Sequence, residues 1–148
     1  MKKMIRAIIY VWLILLFYTP SCYAENWNLL GYYDNEDIVV YNDRSETNWR
    51  KRYNTSQRGW IWDINTVIME KKSSNGVPIR KYKISYRVVE VYGIGVPISF
   101  KMSTYSRWNT TTKEWEDDKK VDKKRYKVGS NTKREKIGIS LFKFCKKF

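Results

Sequence analysis

The residues from Arg80 to Tyr92 alternate between apolar and polar side chains. The apolar set is aromatic or β-branched and the other set is basic or hydroxylic: Tyr82, Ile84, Tyr86 and Val88 against Lys81, Lys83, Ser85 and Arg87. A period of two is typical of an antiparallel strand with one face on the core and the other in water. The chain is therefore expected to build around an antiparallel sheet with one solvated face.

Comparable segments on both sides of this strand predict an antiparallel sheet of five or six strands. Gly59 to Lys71 also alternates and is followed by a turn at Ser73 to Gly76, so it should form a long hairpin with Arg80 to Tyr92. The other predicted strands are 27–33, 37–42, 96–108 and a short edge strand around Trp115. Residues 43–58 are polar and show no period, and a basic loop is expected there.

The period changes near the C-terminus. The apolar residues recur at intervals of four, three and four, which is one stripe of a helix: Ile137, Leu141, Phe144 and Phe148. Thr132 stands three residues before Glu135 in the pattern of a capping box, so the helix should begin near Thr132 and pack on the sheet. These segments together predict a single α+β domain over residues 25–148.

Residues 1–24 have the composition of a secretory signal peptide. Basic residues precede an apolar run from Ala7 to Tyr18, and the segment ends in Cys22-Tyr23-Ala24. The run is too short to span a bilayer, which takes about 20 residues. We expect residues 1–24 to be cleaved, leaving a mature chain without a transmembrane helix that is periplasmic, at the cell surface or secreted. A retained anchor and a lipoprotein modified at Cys22 are the alternatives.

The chain contains no histidine, which removes the usual general base and the commonest zinc ligand. The motifs of serine hydrolases, zinc proteases and nucleotide-binding loops do not occur. Asp117, Asp118 and Asp122 stand among lysines, whose charge opposes a bound cation. A hydrolase with two converging carboxylates is unsupported by any pattern, since carboxylates in turns are usually solvated. We expect a protein that is not an enzyme and uses neither metal nor cofactor.

The candidate binding residues lie in the predicted loop, where rings and cations interleave. They are Trp49, Arg50, Lys51, Arg52 and Tyr53. Aromatic rings can stack on sugars or bases while arginine and lysine meet sulfate or phosphate. In the alternative interpretation the rings cover a sheet edge and the cations are merely solvated. The formal net charge of +14 either favours anionic partners at low salt or only keeps the protein soluble.

A second basic segment runs from Lys119 to Lys127 and has too few rings to resemble a nucleic-acid reader. Nucleic acid is not expected as the partner of an exported protein, and a host matrix protein or an anionic envelope polymer is the easier candidate. Cys145 would be the one cysteine left after cleavage. It either belongs to the core beside Phe144 or forms an intermolecular disulfide in a homodimer, and both alternatives stay open.

Four short motifs follow one another along the chain. They are Trp27-Asn28-Leu29-Leu30-Gly31, Val40-Tyr41-Asn42-Asp43, the strand with Trp60 and Trp62, and the terminal helix with Cys145-Lys146. This order resembles the surface-adhesin protein E family of small exported bacterial proteins. The resemblance implies a mainly antiparallel sheet with a C-terminal helix and, for some members, binding to host extracellular matrix. Relatives that pair the terminal cysteine use one in a central strand, where this chain has Val88 and Val89.

The sequence thus predicts an exported bacterial noncatalytic binding protein, adhesin-like, that presents a basic and aromatic surface to a host or envelope polymer. The alternative is an envelope accessory or structural protein that acts as a dimer. The two differ in the substitutions that should disable them: replacing Arg50, Lys51 and Arg52 with serine should abolish polymer binding, whereas Cys145→Ser should abolish a disulfide-linked dimer.

Overall fold

The computed structural model describes residues 2–17, 26–121 and 124–148. Cys22, the predicted cleavage site after Ala24 and Asp122 lie outside these ranges. Helix α1 (Lys2–Phe17) opens the chain, and its side chains from residue 3 to residue 10 are exposed. No helix in the described ranges is both long enough and apolar enough to cross a membrane.

The described residues form nine strands and a second helix. The strands are β1 (Trp27–Tyr33), β2 (Ile38–Asp43), β3 (Asn48–Asn54), β4 (Gly59–Lys72), β5 (Pro78–Val91), β6 (Ile94–Asn109), β7 (Glu114–Trp115), β8 (Lys119–Lys120) and β9 (Arg125–Lys127). Helix α2 (Lys133–Lys146) follows the last strand. All strand pairs are antiparallel, so the predicted α+β class with an antiparallel sheet and a C-terminal helix is confirmed.

The main path through the sheet is β1-β2-β4-β5-β6-β7, and the other three strands pair beside it. Strand β4 has 14 residues and β6 has 16, so each is longer than the neighbour on its outer side. Strand β4 therefore pairs with both β2 and β3 along one edge. In the same way, β6 pairs with β7, β8 and β9 along its outer edge. The predicted long hairpin β4–β5 is confirmed, and β5 pairs with β6 in a second long hairpin.

The loop predicted over residues 43–58 is wrong, because β3 runs through its middle. All seven residues of β3 have partners on β4, from Asn48 opposite Asn65 to Asn54 opposite Gly59. Asn54 also closes the turn to β4, since its side-chain oxygen accepts from the backbone N–H of Ser56 at 3.0 Å. The strand was missed because its cations occupy both faces, which hides the period of two.

Helix α2 covers one face of the sheet and encloses the core. Tyr82, Ile84, Tyr86 and Val88 point into this core, as their alternation predicts. Thr132 caps the helix, with its Oγ1 accepting from the Glu135 backbone N–H at 3.2 Å. Of the predicted helical stripe, Ile137, Leu141 and Phe144 are buried, whereas Phe148 lies beyond the helix end and is exposed. Phe148 is not part of the buried stripe because α2 ends at Lys146.

Candidate functional site

The sheet has a second face, turned away from α2, which we call the open face. Strand β5 places Lys81, Lys83, Ser85 and Arg87 there, since they alternate with its core residues. Ser85 lies between Asn65 on β4 and Lys101 on β6, and paired residues of neighbouring strands share a face. The open face therefore collects polar and basic side chains from several strands.

A shallow groove of about 280 Å³ lies on the open face. Its cations come from three strands, with Lys83 on β5, Lys101 on β6 and Arg125 on β9, and among the described lining residues the one carboxylate is that of Glu46. The remaining lining includes amide and hydroxyl side chains that can donate hydrogen bonds: Asn48, Asn65, Ser85 and Ser103. Such a lining suits an anionic, hydroxyl-bearing ligand.

The cations of this groove repel one another. Lys101 and Arg125 lie directly opposite in register, and like charges in that position destabilise a sheet. Within the described ranges, Lys83, Lys101 and Arg125 form no ion pair with a carboxylate, whereas nearby Arg87 pairs with Asp63 at 2.8 Å. A bound anion would therefore relieve the repulsion among these three cations.

The pKa of Arg125 is lowered, mainly because the side chain is partly buried. The positive charge of Arg87 lowers the pKa further, while Asp63 acts in the opposite sense. The side chain remains charged, because an arginine does not lose its proton in a protein. Among the described residues, its one hydrogen bond to a side chain runs from Nη1 to Ser99 Oγ at 3.2 Å. In the described part of the chain, no other side chain accepts from this guanidinium, so its remaining N–H groups can donate to an anion.

A second groove of about 220 Å³ continues the first along the sheet and shares Glu46, Val67 and Lys83 with it. Its far end carries Lys81 and Trp27, but also two carboxylates, those of Asp43 and Asp118. The positive charge is therefore concentrated at the end that holds Lys101 and Arg125.

Strand β3 separates the five binding residues predicted from the sequence. Arg50 and Arg52 lie on the open face, opposite Asp63 and Ile61. Trp49, Lys51 and Tyr53 lie on the other face because successive residues of a strand point to opposite sides. The structure thus adds the two arginines to the basic face but does not unite the five residues in one patch.

The three residues on the far side of β3 make an aromatic cluster with β4. Lys51 Nζ lies 5.2 Å from the ring centroids of both Trp60 and Trp62, and Tyr53 meets Trp60 edge-on at 5.4 Å. Trp49 is half-buried against the core. Tyr53 remains 54% exposed, so these rings cover the sheet only in part.

Lys83, Lys101 and Arg125 were not among the predicted binding residues. The alternation of residues 80–92 and of residues 96–108 did place Lys83 and Lys101 on the solvated face, and Arg125 lies in the second basic segment, Lys119 to Lys127. Nothing in the sequence brings Arg125 beside Lys101, since β9 has only three residues and pairs far from its neighbours in the chain. The side chains of β8 and β9, which belong to this basic segment, are exposed.

Cys145 is fully buried in the core, on α2. The intermolecular disulfide that the sequence left open does not fit this position, because the thiol cannot reach a second chain while the helix is packed. Burial also raises the pKa of the thiol to about 12, so it is protonated and unreactive at neutral pH.

The buried thiol should weaken the protein at alkaline pH. Because the unfolded chain ionises this thiol near pH 9 and the folded chain only near pH 12, the stability present below pH 9 is lost across that interval. At about pH 10.5 the loss should be about 2 kcal/mol. Urea unfolding of the wild type and Cys145→Ala at neutral pH and at this pH measures the difference, and equal declines in both proteins would contradict it.

Among the described residues, no three or more cysteine, aspartate or glutamate side chains are grouped to hold a metal ion. The chain shows no significant match to a protein-family model, to a curated protein sequence or to a solved structure. The resemblance to surface-adhesin protein E therefore stays a prediction, and the functional argument rests on the geometry of the open face.

Proposed function

We propose that this chain is an exported, noncatalytic binding protein that holds an anionic polymer of a host or an envelope on the open face of its sheet. The observation that carries this proposal is the convergence of Lys83, Lys101 and Arg125 on one groove, where none of the three forms an ion pair with a carboxylate of the described residues. Arg50 and Arg52 extend the same positive face along β3. Export is supported by the exposed apolar side chains in the first half of α1, among them Ile5, Ile8 and Ile9, which suit a leader.

The shape of the face favours an extended ligand over a small one. The two grooves are shallow and continuous, and they cross several strands of the sheet. A sulfated or carboxylated polysaccharide could lie along them, with its charges on the cations and its hydroxyl groups on Asn48, Asn65, Ser85 and Ser103. Affinity for such a ligand would depend on salt, because cations released from the polymer drive the association.

Removing the three groove cations should reduce binding to dextran sulfate. For Lys83→Gln/Lys101→Gln/Arg125→Gln we expect affinity at low salt to fall at least about tenfold, and the slope of log affinity against log salt to shrink by about 2–3. Calorimetric titration at several salt concentrations measures both quantities.

The matched control removes the same charge elsewhere. Lys113→Gln/Lys136→Gln/Lys143→Gln changes three exposed lysines that do not line the grooves of the open face. Its affinity should fall by less than about threefold if location matters, because long-range effects of exposed charge are screened by salt. Equal losses in both triple variants would show that net charge alone explains binding and would refute the proposed site.

The residues of β3 offer a second test within one strand. Arg50→Gln/Arg52→Gln should weaken dextran sulfate binding about threefold to tenfold because both side chains lie on the open face. Lys51→Gln should leave binding unchanged, since Lys51 lies over Trp60 and Trp62 on the opposite face. A loss in Lys51→Gln as large as that in the double variant would instead favour binding by the whole segment.

The alternative function, an accessory or structural dimer, finds less support in the geometry. Pairing of β3 with β3 of a second copy would bring Arg50, Lys51 and Arg52 close to the same cations of the other chain. Charged residues on an edge strand are a common device against such pairing. A dimer through Cys145 would require α2 to unpack.

A further inference from the structure

The hairpin end between β5 and β6 exposes four apolar side chains, which we call the apolar tip. The exposed fractions are 98% for Tyr92, 68% for Ile94, 52% for Val96 and 36% for Ile98. Single exposed apolar residues are common on proteins, but a contiguous exposed set marks an interaction surface. The apolar tip therefore has the character of a binding surface.

Tyr92 is held in an unfavourable backbone conformation at this turn. Its φ is +52° and that of Gly93 is +80°, as in the two-residue turns that prefer Asn-Gly. A bulky residue in this region costs free energy that an asparagine would largely avoid. Because Tyr92 makes almost no contact that buries it, the folded chain itself gains little from the ring.

The apolar tip continues inward as a strip on the open face. Val96 lies opposite Val89, and Val89 lies opposite Ile61 on β4. Behind this strip the face turns basic at once. Arg52 lies opposite Ile61, and Lys127 lies opposite Ser99, which also accepts from Arg125.

Cations therefore border the apolar tip where it joins the sheet. An anionic bilayer has a layer of phosphate groups above its hydrocarbon. The apolar tip would meet the hydrocarbon, and the cations directly behind it would meet the phosphate groups. The apolar tip is also convex: it forms the end of a hairpin and lines none of the grooves described above. A fluid acyl layer accommodates a convex projection without a complementary cavity.

We infer that the apolar tip inserts into the interface of an anionic lipid bilayer while Arg52, Arg125 and Lys127 contact lipid phosphates. The inference rests on the proposed function, because the basic open face supplies the attraction, and it names lipid headgroups as one source of the bound anions. Each cation near the surface should contribute about fivefold to partitioning.

The test uses the full chain and vesicles of phosphatidylcholine with or without phosphatidylglycerol. Tyr92→Ser/Ile94→Ser should lower partitioning onto the anionic vesicles at least about tenfold, because it removes two inserted apolar side chains. The matched control, Leu29→Ser/Tyr32→Ser, removes an exposed aliphatic and an exposed aromatic side chain from β1 and should change partitioning less than about twofold. Both variants keep α1, so any binding by that helix is common to them.

A dye attached at the apolar tip reports directly whether the tip enters the bilayer. This matters if α1 alone binds the protein to vesicles, because the partitioning would then not depend on the tip. Ile94→Cys in a Cys22→Ser background can be labelled selectively, because Cys145 is buried. Quenching by brominated lipid is expected on anionic vesicles, and a dye that stays fully accessible to aqueous iodide would overturn the inference.

Dextran sulfate separates this inference from the proposed function. Tyr92→Ser/Ile94→Ser should bind it like the wild type, whereas the triple groove variant should not. Unchanged vesicle binding in the variant of the apolar tip, together with a dye at the tip that stays accessible to iodide, refutes insertion alone. Unchanged dextran sulfate binding in the groove variant refutes the proposed function. Self-association that depends on Tyr92 and Ile94, seen by sedimentation without vesicles, would overturn the lipid assignment in favour of a second copy.

Discussion

Replacing Glu70 by alanine should lower the free energy of unfolding by about 3 kcal/mol. The Glu70 side chain is only 1% exposed and lies between two cations on the core side of the sheet. Its carboxylate binds the Arg80 guanidinium from the neighbouring strand, and Lys133 Nζ at the start of α2 lies 2.7 Å from Oε1. Without Glu70 the two cations would face each other, although both reach water and can partly rehydrate.

The cluster of Glu70, Arg80 and Lys133 should also make the free energy of unfolding depend on pH in the acid range. Burial alone would raise the pKa of Glu70, but Arg80 and Lys133 outweigh it and hold the pKa below its usual value of 4.5. Its contribution is therefore present at neutral pH and lost as pH falls below 4.5 through the folded pKa. Urea unfolding at neutral and acid pH should show a smaller acid decline in Glu70→Gln than in the wild type.

The exposed Glu116 provides the control for this prediction. Glu116→Ala should change the free energy of unfolding by less than about 0.5 kcal/mol because its side chain is solvated. If Glu70→Ala were as stable as Glu116→Ala, the cluster would not hold α2 to the sheet as described.

Gly138→Leu should also destabilise the protein, by about 3 kcal/mol. Gly138 lies in the middle of α2, where its helix propensity alone would favour replacement by about 1 kcal/mol. The sheet leaves no room, however, because a Cβ on Gly138 would lie 2.7 Å from Pro97 Cγ and 3.0 Å from Tyr86 Cε1. A leucine therefore has to push α2 away from β5 and β6.

Thermal and urea unfolding measure this effect against Lys136→Leu, an exposed position on the same helix. Lys136→Leu should lie within about 0.5 kcal/mol of the wild type. A Gly138→Leu protein as stable as that control would mean that α2 does not pack closely on Pro97 and Tyr86.

The sequence predicts the parts of the fold where one local rule applies. The alternation of residues 80–92 specifies β5 because each side chain there matches the face it occupies. The Thr132 capping box likewise marks the start of α2. Strand β3 was not predicted because Arg50, Lys51 and Arg52 mask its alternation, and its pairing with β4 depends on backbone hydrogen bonds that side-chain patterns do not report.

The candidate site depends on register, which local patterns do not determine. Arg125 lies opposite Lys101 because the short strand β9 pairs with part of the outer edge of β6. Glu70 falls on the core side of β4, and its partner Lys133 comes from a helix far along the chain. Both arrangements arise from contacts between distant segments, so they become visible only in the folded chain.

The location of a bound polyanion tests the central claim most directly. Acetylation of lysine side chains, read by mass spectrometry with and without dextran sulfate, reports which amines the polymer covers. The account predicts strong protection of Lys83 and Lys101 and unchanged labelling of Lys113, Lys136 and Lys143. Uniform protection of all five lysines, or protection confined to the latter three, would contradict binding on the open face.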